Sequence, residues 1–171
     1  GAIVASPLVV DGKVYFGALD QKFYAVDARS GTTAWSRPFE AEGWFWAGAV
    51  NQGNSIFAVD TGGRLYGLDK DTGLMQWEAD VGGMVIATPV LADLGGDIRL
   101  IVATKEGRMS VRRIDRDQEE WGPEITDVGG GSVKVKGPLG LWESTVLVNT
   151  LGPWTLQALD LNDGEVSQLF P

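Results

Sequence analysis

An aspartate opens the same short motif four times in this chain, at Asp27, Asp69, Asp115 and Asp160, with spacings of 42 to 46 residues. The two fullest copies read Ala25-Val26-Asp27-Ala28-Arg29-Ser30-Gly31-Thr32-Thr33-Ala34-Trp35 and Gly67-Leu68-Asp69-Lys70-Asp71-Thr72-Gly73-Leu74-Met75-Gln76-Trp77. The third, from Asp115 to Trp121, is two residues shorter; the fourth keeps Asp160 and Gly164 but has Gln168 where Trp is expected. A fixed period near 40 residues means stacked supersecondary units, none of which can bury its apolar faces alone.

Between the motifs the sequence reads as strands and tight turns. Residues 13–19 and 22–27 are β-rich runs separated by Asp20-Gln21, a two-residue hairpin connection, and Asp11-Gly12 tolerates the positive φ that a hairpin turn needs. The layout recurs as strands at 47–51, 55–59 and 64–69, then 86–91, 99–104 and 109–115, then 133–136, 144–149 and 154–160. A short fourth strand closes each unit, as at 33–37 and 74–79. No helical periodicity interrupts them. The expected class is all-β, with propeller blades of four antiparallel strands at about 1–40, 41–80, 81–127 and 128–171.

Composition narrows the chemistry. The chain has 171 residues, 44% of them hydrophobic, enough to bury a core. Its net charge of −9 speaks against nucleic acid and anionic membrane surfaces, which reward basic faces. No apolar run approaches the roughly 18 residues of a membrane span, so direct membrane insertion by this segment is not expected. With no Cys and no His, the chain cannot supply disulfides, thiolate nucleophiles, a Ser-His-Asp triad or His-based metal sites.

The pattern Ala-x-Asp-x-x-Thr/Ser-Gly-x-x-x-Trp resembles the PQQ-like repeat family of β-propellers over essentially the whole length. Residues 25–35 match it fully, and 67–77 match except for Gly67 in the Ala place. That family includes the propeller lipoprotein of the outer-membrane β-barrel assembly machinery and the quinoprotein dehydrogenases. The resemblance implies that Trp35, Trp77 and Trp121 pack between blades, while Asp27, Gly31, Asp69, Gly73, Asp115, Asp160 and Gly164 shape the turns. It further implies a ring of about seven or eight blades, of which residues 1–171 form a single partial propeller. The chain is therefore expected to be the C-terminal half of a longer polypeptide, a fragment within a complex, or a self-complementing half-propeller or small ring.

Several clusters are candidates for function. Trp44, Phe45 and Trp46 form the densest aromatic group, placed before an inner strand; they are a recognition patch or interblade packing. Trp142 is read as occupying the comparable approach region of the fourth blade. Asp93-Leu94-Gly95-Gly96-Asp97 brings two carboxylates together, yet Leu94 and the two glycines add no side-chain oxygen, so a solvated loop is expected rather than calcium. Lys105, Arg108, Arg112, Arg113 and Arg116 lie among acids and are expected to form a salt-bridged surface. The positions at blade tops (Ala5, Ser6, Ala47, Gly48, Ala87, Thr88) are small or apolar, and no segment aligns with quinoprotein ligand motifs.

The expectation is thus a noncatalytic scaffold in the bacterial cell envelope, periplasmic or at the cell surface by resemblance. Its partners would be other proteins or missing blades of the same polypeptide, with no catalytic, cofactor or metal residues assigned. The alternatives are the C-terminal half of a PQQ- and calcium-dependent quinoprotein dehydrogenase and a propeller sensor or adhesion domain of a larger protein.

Overall fold

Hairpin turns and alternating burial generate four antiparallel sheets, as a computed structural model shows; residues 1–114, 119–121, 133–151 and 156–170 are described. No described residue is helical. The first sheet orders β1 (Leu8–Val10), β2 (Lys13–Gly17), β3 (Lys22–Asp27) and β4 (Phe39–Glu40). The second orders β5 (Val50–Gln52), β6 (Ser55–Val59), β7 (Arg64–Asp69) and β8 (Met75–Asp80), and the third β9 (Val90–Asp93), β10 (Ile98–Ala103), β11 (Met109–Arg113) and β12 (Glu119–Trp121). In the fourth, β13 (Lys134–Val135) and β14 (Gly140–Trp142) both pair with β15 (Thr145–Leu151), followed by β16 (Leu156–Asp160) and β17 (Val166–Phe170). Four successive sheets of hairpin-linked strands are propeller blades.

The contacts group into two compact units, Gly1–Val81 and Gly82–Pro171, each holding two blades. In the first, Tyr15, Phe23, Trp35, Phe45, Ile56, Tyr66 and Leu68 form one buried cluster. In the second, Ile101, Met109, Val111, Val146, Val148 and Leu159 lead another. Burial alternates along β2 and β3, so one row of each feeds the core, whereas β6, β7, β10 and β11 are buried at consecutive positions and so on both faces.

The expected strands differ from the observed ones mainly at blade entrances and exits. β5 and β9 begin later than the expected starts at 47 and 86. The fourth strand of the first blade is not at 33–37 but is reduced to Phe39–Glu40, because Trp35 turns into the core and the chain around it leaves the sheet. In the fourth blade the entering segment is divided at residues 136–139, around Pro138, which has no N–H to give to a ladder. Asp115 and Arg116 lie outside the described residues, and for Trp121 only the backbone pairing with Val111 is described.

One side chain in this frame is costly. Gln157 is fully buried in β16, and both its amide oxygen and nitrogen lack a hydrogen-bond partner among the described residues. Each unmet polar atom costs about 1–3 kcal/mol. Gln157→Leu keeps the volume and removes both, so urea unfolding should show a gain of about 1–2 kcal/mol. A loss instead would mean that an ordered water satisfies the amide.

Candidate functional site

Each blade has two ends. The Asp-led turns and the β1–β2, β5–β6, β9–β10 and β14–β15 hairpins lie at one end; the other hairpins and the connections between blades lie at the opposite end, as antiparallel order requires.

At the turn end, the repeated aspartate works locally. Asp27 Oδ1 accepts hydrogen bonds from the N–H groups of Arg29 and Ser30, at 3.1 and 2.8 Å, and from Ser30 Oγ at 2.8 Å. Asp69 Oδ1 repeats this with Asp71 N, Thr72 N and Thr72 Oγ1 at 3.1, 2.8 and 2.7 Å, and its Oδ2 receives Asn54 Nδ2. Asp160 does so with Asn162 N and Nδ2. Gly31, Gly73 and Gly164 donate back to the aspartate carbonyls with φ of 70°, 75° and 77°. These are Asx turns closed by left-handed residues.

The donors hold the carboxyls of Asp27 (chiefly the Ser30 N–H) and Asp69 (chiefly the Thr72 hydroxyl) below their ordinary value of 3.8. A lowered folded-state pKa means that this stabilisation is complete above the unfolded value and fades as pH falls through the folded one. The Asp27→Asn, Asp69→Asn double variant should therefore show a flatter loss of stability than the parent below about pH 4. An acid titration followed by circular dichroism tests this, and identical curves would sink it.

The turns also join the first two blades. Trp35 Nε1 donates to the Lys70 carbonyl at 2.9 Å, and Tyr15 OH reaches the same oxygen at 3.1 Å. Burial pushes the Tyr15 hydroxyl up to about 12. A side chain at Gly73 would sit 2.5 Å from the Trp35 ring, so this glycine serves both its positive φ and its neighbour's indole. Lys70 with Asp11 and Lys13 with Asp71 add exposed ion pairs across the same junction. Trp77 behaves differently. Its ring covers Gly67, where a Cβ would lie 2.5 Å away, and sits 5.8 Å from Phe57 in its own blade.

At the opposite end lies the aromatic connection. Phe45 is fully buried, its ring 5.3 Å from Phe23 and 6.2 Å from Tyr66, over the space that Gly17 leaves open. It is a core plug, and the recognition patch reduces to its neighbours. Trp44 and Trp46 are 53% and 47% exposed.

The loop is held on both sides. Gln21 O receives Ala41 N, Ala18 O receives Phe45 N, and Thr61 exchanges bonds with the Trp44 backbone at 2.8 and 3.2 Å. Behind it lies Asp60, fully buried, which accepts from Gly43 N, Gly62 N, Arg64 N and Tyr66 OH at 2.9 to 3.0 Å. Burial, then Asp60, pushes the Tyr66 hydroxyl up. Sequence reading did not single out Asp60, which falls between the expected strands at 55–59 and 64–69. The available signal was Tyr24 and Tyr66, each three residues before a repeat aspartate, whose hydroxyls need a buried acceptor.

A buried residue between two less buried ones recurs at the same register. Met84 (exposed), Val85 (buried) and Ile86 (half-buried) precede β9, with Lys105 N bonded to Met84 O as Thr61 N is to Trp44 O. Lys134, Val135 and Lys136 hold the place in the fourth blade, where Lys134 is paired with Leu151. Trp142 does not belong to this set. It ends β14 opposite Thr145, level with Val10 and Gln52, and so lies at the turn end. Its expected position was wrong because the inner strand is β14, and residues 133–136 are the approach to it. Trp142 is 67% exposed.

The remaining clusters are structural. Asp93 Oδ1 accepts from Gly96 N, and Asp97 is engaged by Arg99 and by Arg113 at 3.1 Å, so two guanidinium groups already meet the carboxylate that a cation would need. Arg112, expected on a salt-bridged surface, is 94% buried, with Nε bonded to Ser110 Oγ. Among the described residues no three His, Cys, Asp or Glu side chains group as metal ligands, and no helix is long and apolar enough to cross a membrane.

Residues 1–168 match the family model described as outer membrane protein assembly factor BamB. The chain is 32% identical over 111 residues to BamB of Salmonella typhimurium, a stretch covering 64% of this chain and 26% of that protein. It is 32% identical over 103 residues to BamB of Escherichia coli K12, covering 60% and 24%. Among solved structures it is similar to BamB from Moraxella catarrhalis (TM-score 0.75, 19% identity, 96% of this chain and 48% of that one). It is also similar to the quinohemoprotein alcohol dehydrogenase from Comamonas testosteroni (TM-score 0.75, 18% identity, 99% and 35%). At such identities the structural likenesses show the fold alone, and the matches span about a quarter of the length of the two BamB sequences.

Proposed function

The chain belongs to the family of outer membrane protein assembly factor BamB, and on that premise we propose that it is part of a noncatalytic propeller that binds other proteins in the bacterial envelope, at its periplasmic or outer surface. The observation that carries this reading is the pinned connection with Trp44 and Trp46 half exposed on either side of the buried Phe45. Tryptophans held rigid before a partner arrives lose little entropy on binding, and they dominate interface energetics. Four blades cover 48% of a solved BamB chain, which supports a ring of about eight blades completed by the rest of the polypeptide.

The likeness to a quinohemoprotein dehydrogenase concerns the fold, and does not favour the enzymatic reading over this one. The positions entering the inner strands are small or apolar (Ala5, Ala47, Ala87) and buried, which suits packing better than coordination of a cofactor.

A photo-crosslinking residue placed at Trp44 or Trp46 of the full-length protein should capture a specific envelope protein. With that partner purified, Trp44→Ala and Trp46→Ala should each weaken binding by about 2 kcal/mol, roughly thirtyfold. Unchanged affinity in both variants would refute the docking role. Dye reduction by an alcohol that depends on added PQQ and calcium would refute the noncatalytic one.

A further inference from the structure

The outer rim of the first two blades carries a concavity that the aromatic loop does not touch. Residues 36–40 of the first blade and 72–75 of the second, with Lys22, enclose a groove of about 420 Å³. It exists because the first blade's last strand is incomplete. β4 pairs with β3 only at Phe23 and Lys22, and an isolated bridge joins Val26 to Thr33. The residues between leave the sheet as Trp35 turns inward. In the second blade, β8 follows β7 from Arg64 to Leu68 without such a gap.

The chemistry of the walls is specific. Arg37 is exposed and has no carboxylate partner among the described residues, whereas Lys22 is paired with Glu40 at 3.1 Å. On the facing wall Leu74 and Met75 are 62% and 49% exposed. The turn does not demand apolar residues there. The same two register positions hold Thr32 and Thr33 in the first blade, and Glu165 and the half-buried Val166 in the fourth. Among these three described turns, both positions are apolar and exposed at the groove alone.

We propose that this rim groove, with Arg37 on one wall and Leu74 and Met75 on the other, binds an extended peptide segment of a partner protein that carries one carboxylate flanked by apolar side chains. The volume falls in the roughly 300–1,000 Å³ range of compact ligand sites. Arg offers a carboxylate two parallel hydrogen bonds, which a lone charge in open water does not. The pairing is local. The chain's net charge of −9 works against a strongly acidic ligand, so a single carboxylate backed by apolar contact fits better than an acidic run.

The test uses the full-length protein and two labelled peptides, Ser-Leu-Asp-Leu-Val-Ser and its counterpart with Lys in place of Asp. Fluorescence polarisation should show the Asp peptide binding at least tenfold more tightly, with amide shifts at Gly73 and Leu74 in nitrogen-15 NMR spectra. Arg37→Glu should abolish that preference, Arg37→Lys should keep part of it, and Leu74→Thr with Met75→Thr should weaken binding at least tenfold. These positions are exposed, so the variants should fold. No binding of the Asp peptide at millimolar concentration, equal binding of both peptides, or indifference to Arg37→Glu would each overturn the proposal. Concentration-dependent dimerisation that Arg37→Glu abolishes would overturn it in favour of a second copy of the chain as occupant. No envelope partner enters this titration, so its failure leaves the aromatic-loop reading standing.

Discussion

Trp35→Ala is expected to destabilise the chain by about 3–5 kcal/mol, the usual consequence of deleting a large buried aromatic side chain. Three losses coincide. The indole is 3% exposed and stands 5.8 Å from Tyr15 and 6.2 Å from Phe23. Its N–H satisfies the Lys70 carbonyl of the next blade. Its ring also fills the space over Gly73. For a chain of this size the melting temperature should fall by roughly 6–20 °C. Trp77→Ala, at the same motif position but with a partly exposed ring, should cost less. Thermal unfolding of both variants decides it, and an equal or larger loss at Trp77 would contradict the asymmetry.

Asp60→Ala is the second large effect, on the order of 3–5 kcal/mol, because it leaves three backbone N–H groups and a tyrosine hydroxyl facing a dry space. The consequence should also be directional. Gly43 N is one of the four donors, so the variant loosens the loop that carries Trp44 and Trp46, and hydrogen exchange at Gly43 and Trp44 should rise more than at Ile56 in the sheet. Asp60→Asn keeps the shape but turns part of the acceptor into a donor, and should fall between the two. If the alanine variant melted within about 2 °C of the parent, the buried acceptor would not be holding this loop.

The blade count, the all-β class and the turn chemistry were legible in the residues because each depends on neighbours within about four positions. Asp27, Asp69 and Asp160 reach only their own turns, and Gly31, Gly73 and Gly164 close them. Strand ends were less legible, since whether residues 33–37 continue a sheet depends on where Trp35 finds a cavity. The site was half legible. An aromatic triplet before an inner strand is visible, but the inward turn of Phe45 follows from contacts with Phe23 and Tyr66 far along the chain. Trp142 lies at the turn end because β14, rather than residues 133–136, is the strand that forms the hairpin with β15.

By itself the sequence determined a repeating unit, its four strands and the Asx turn that closes it, through short-range hydrogen bonding that any copy of the motif makes alone. Only the tertiary structure decided that Trp35 crosses to the next blade while Trp77 covers its own. The same holds for Asp60, which lies buried beneath the aromatic loop, and for the rim groove that opens where β4 is cut short. Those outcomes depend on which space a glycine leaves open, across the blade junction at Gly17 and Gly73 and within one blade at Gly67, and close packing settles such choices jointly rather than residue by residue.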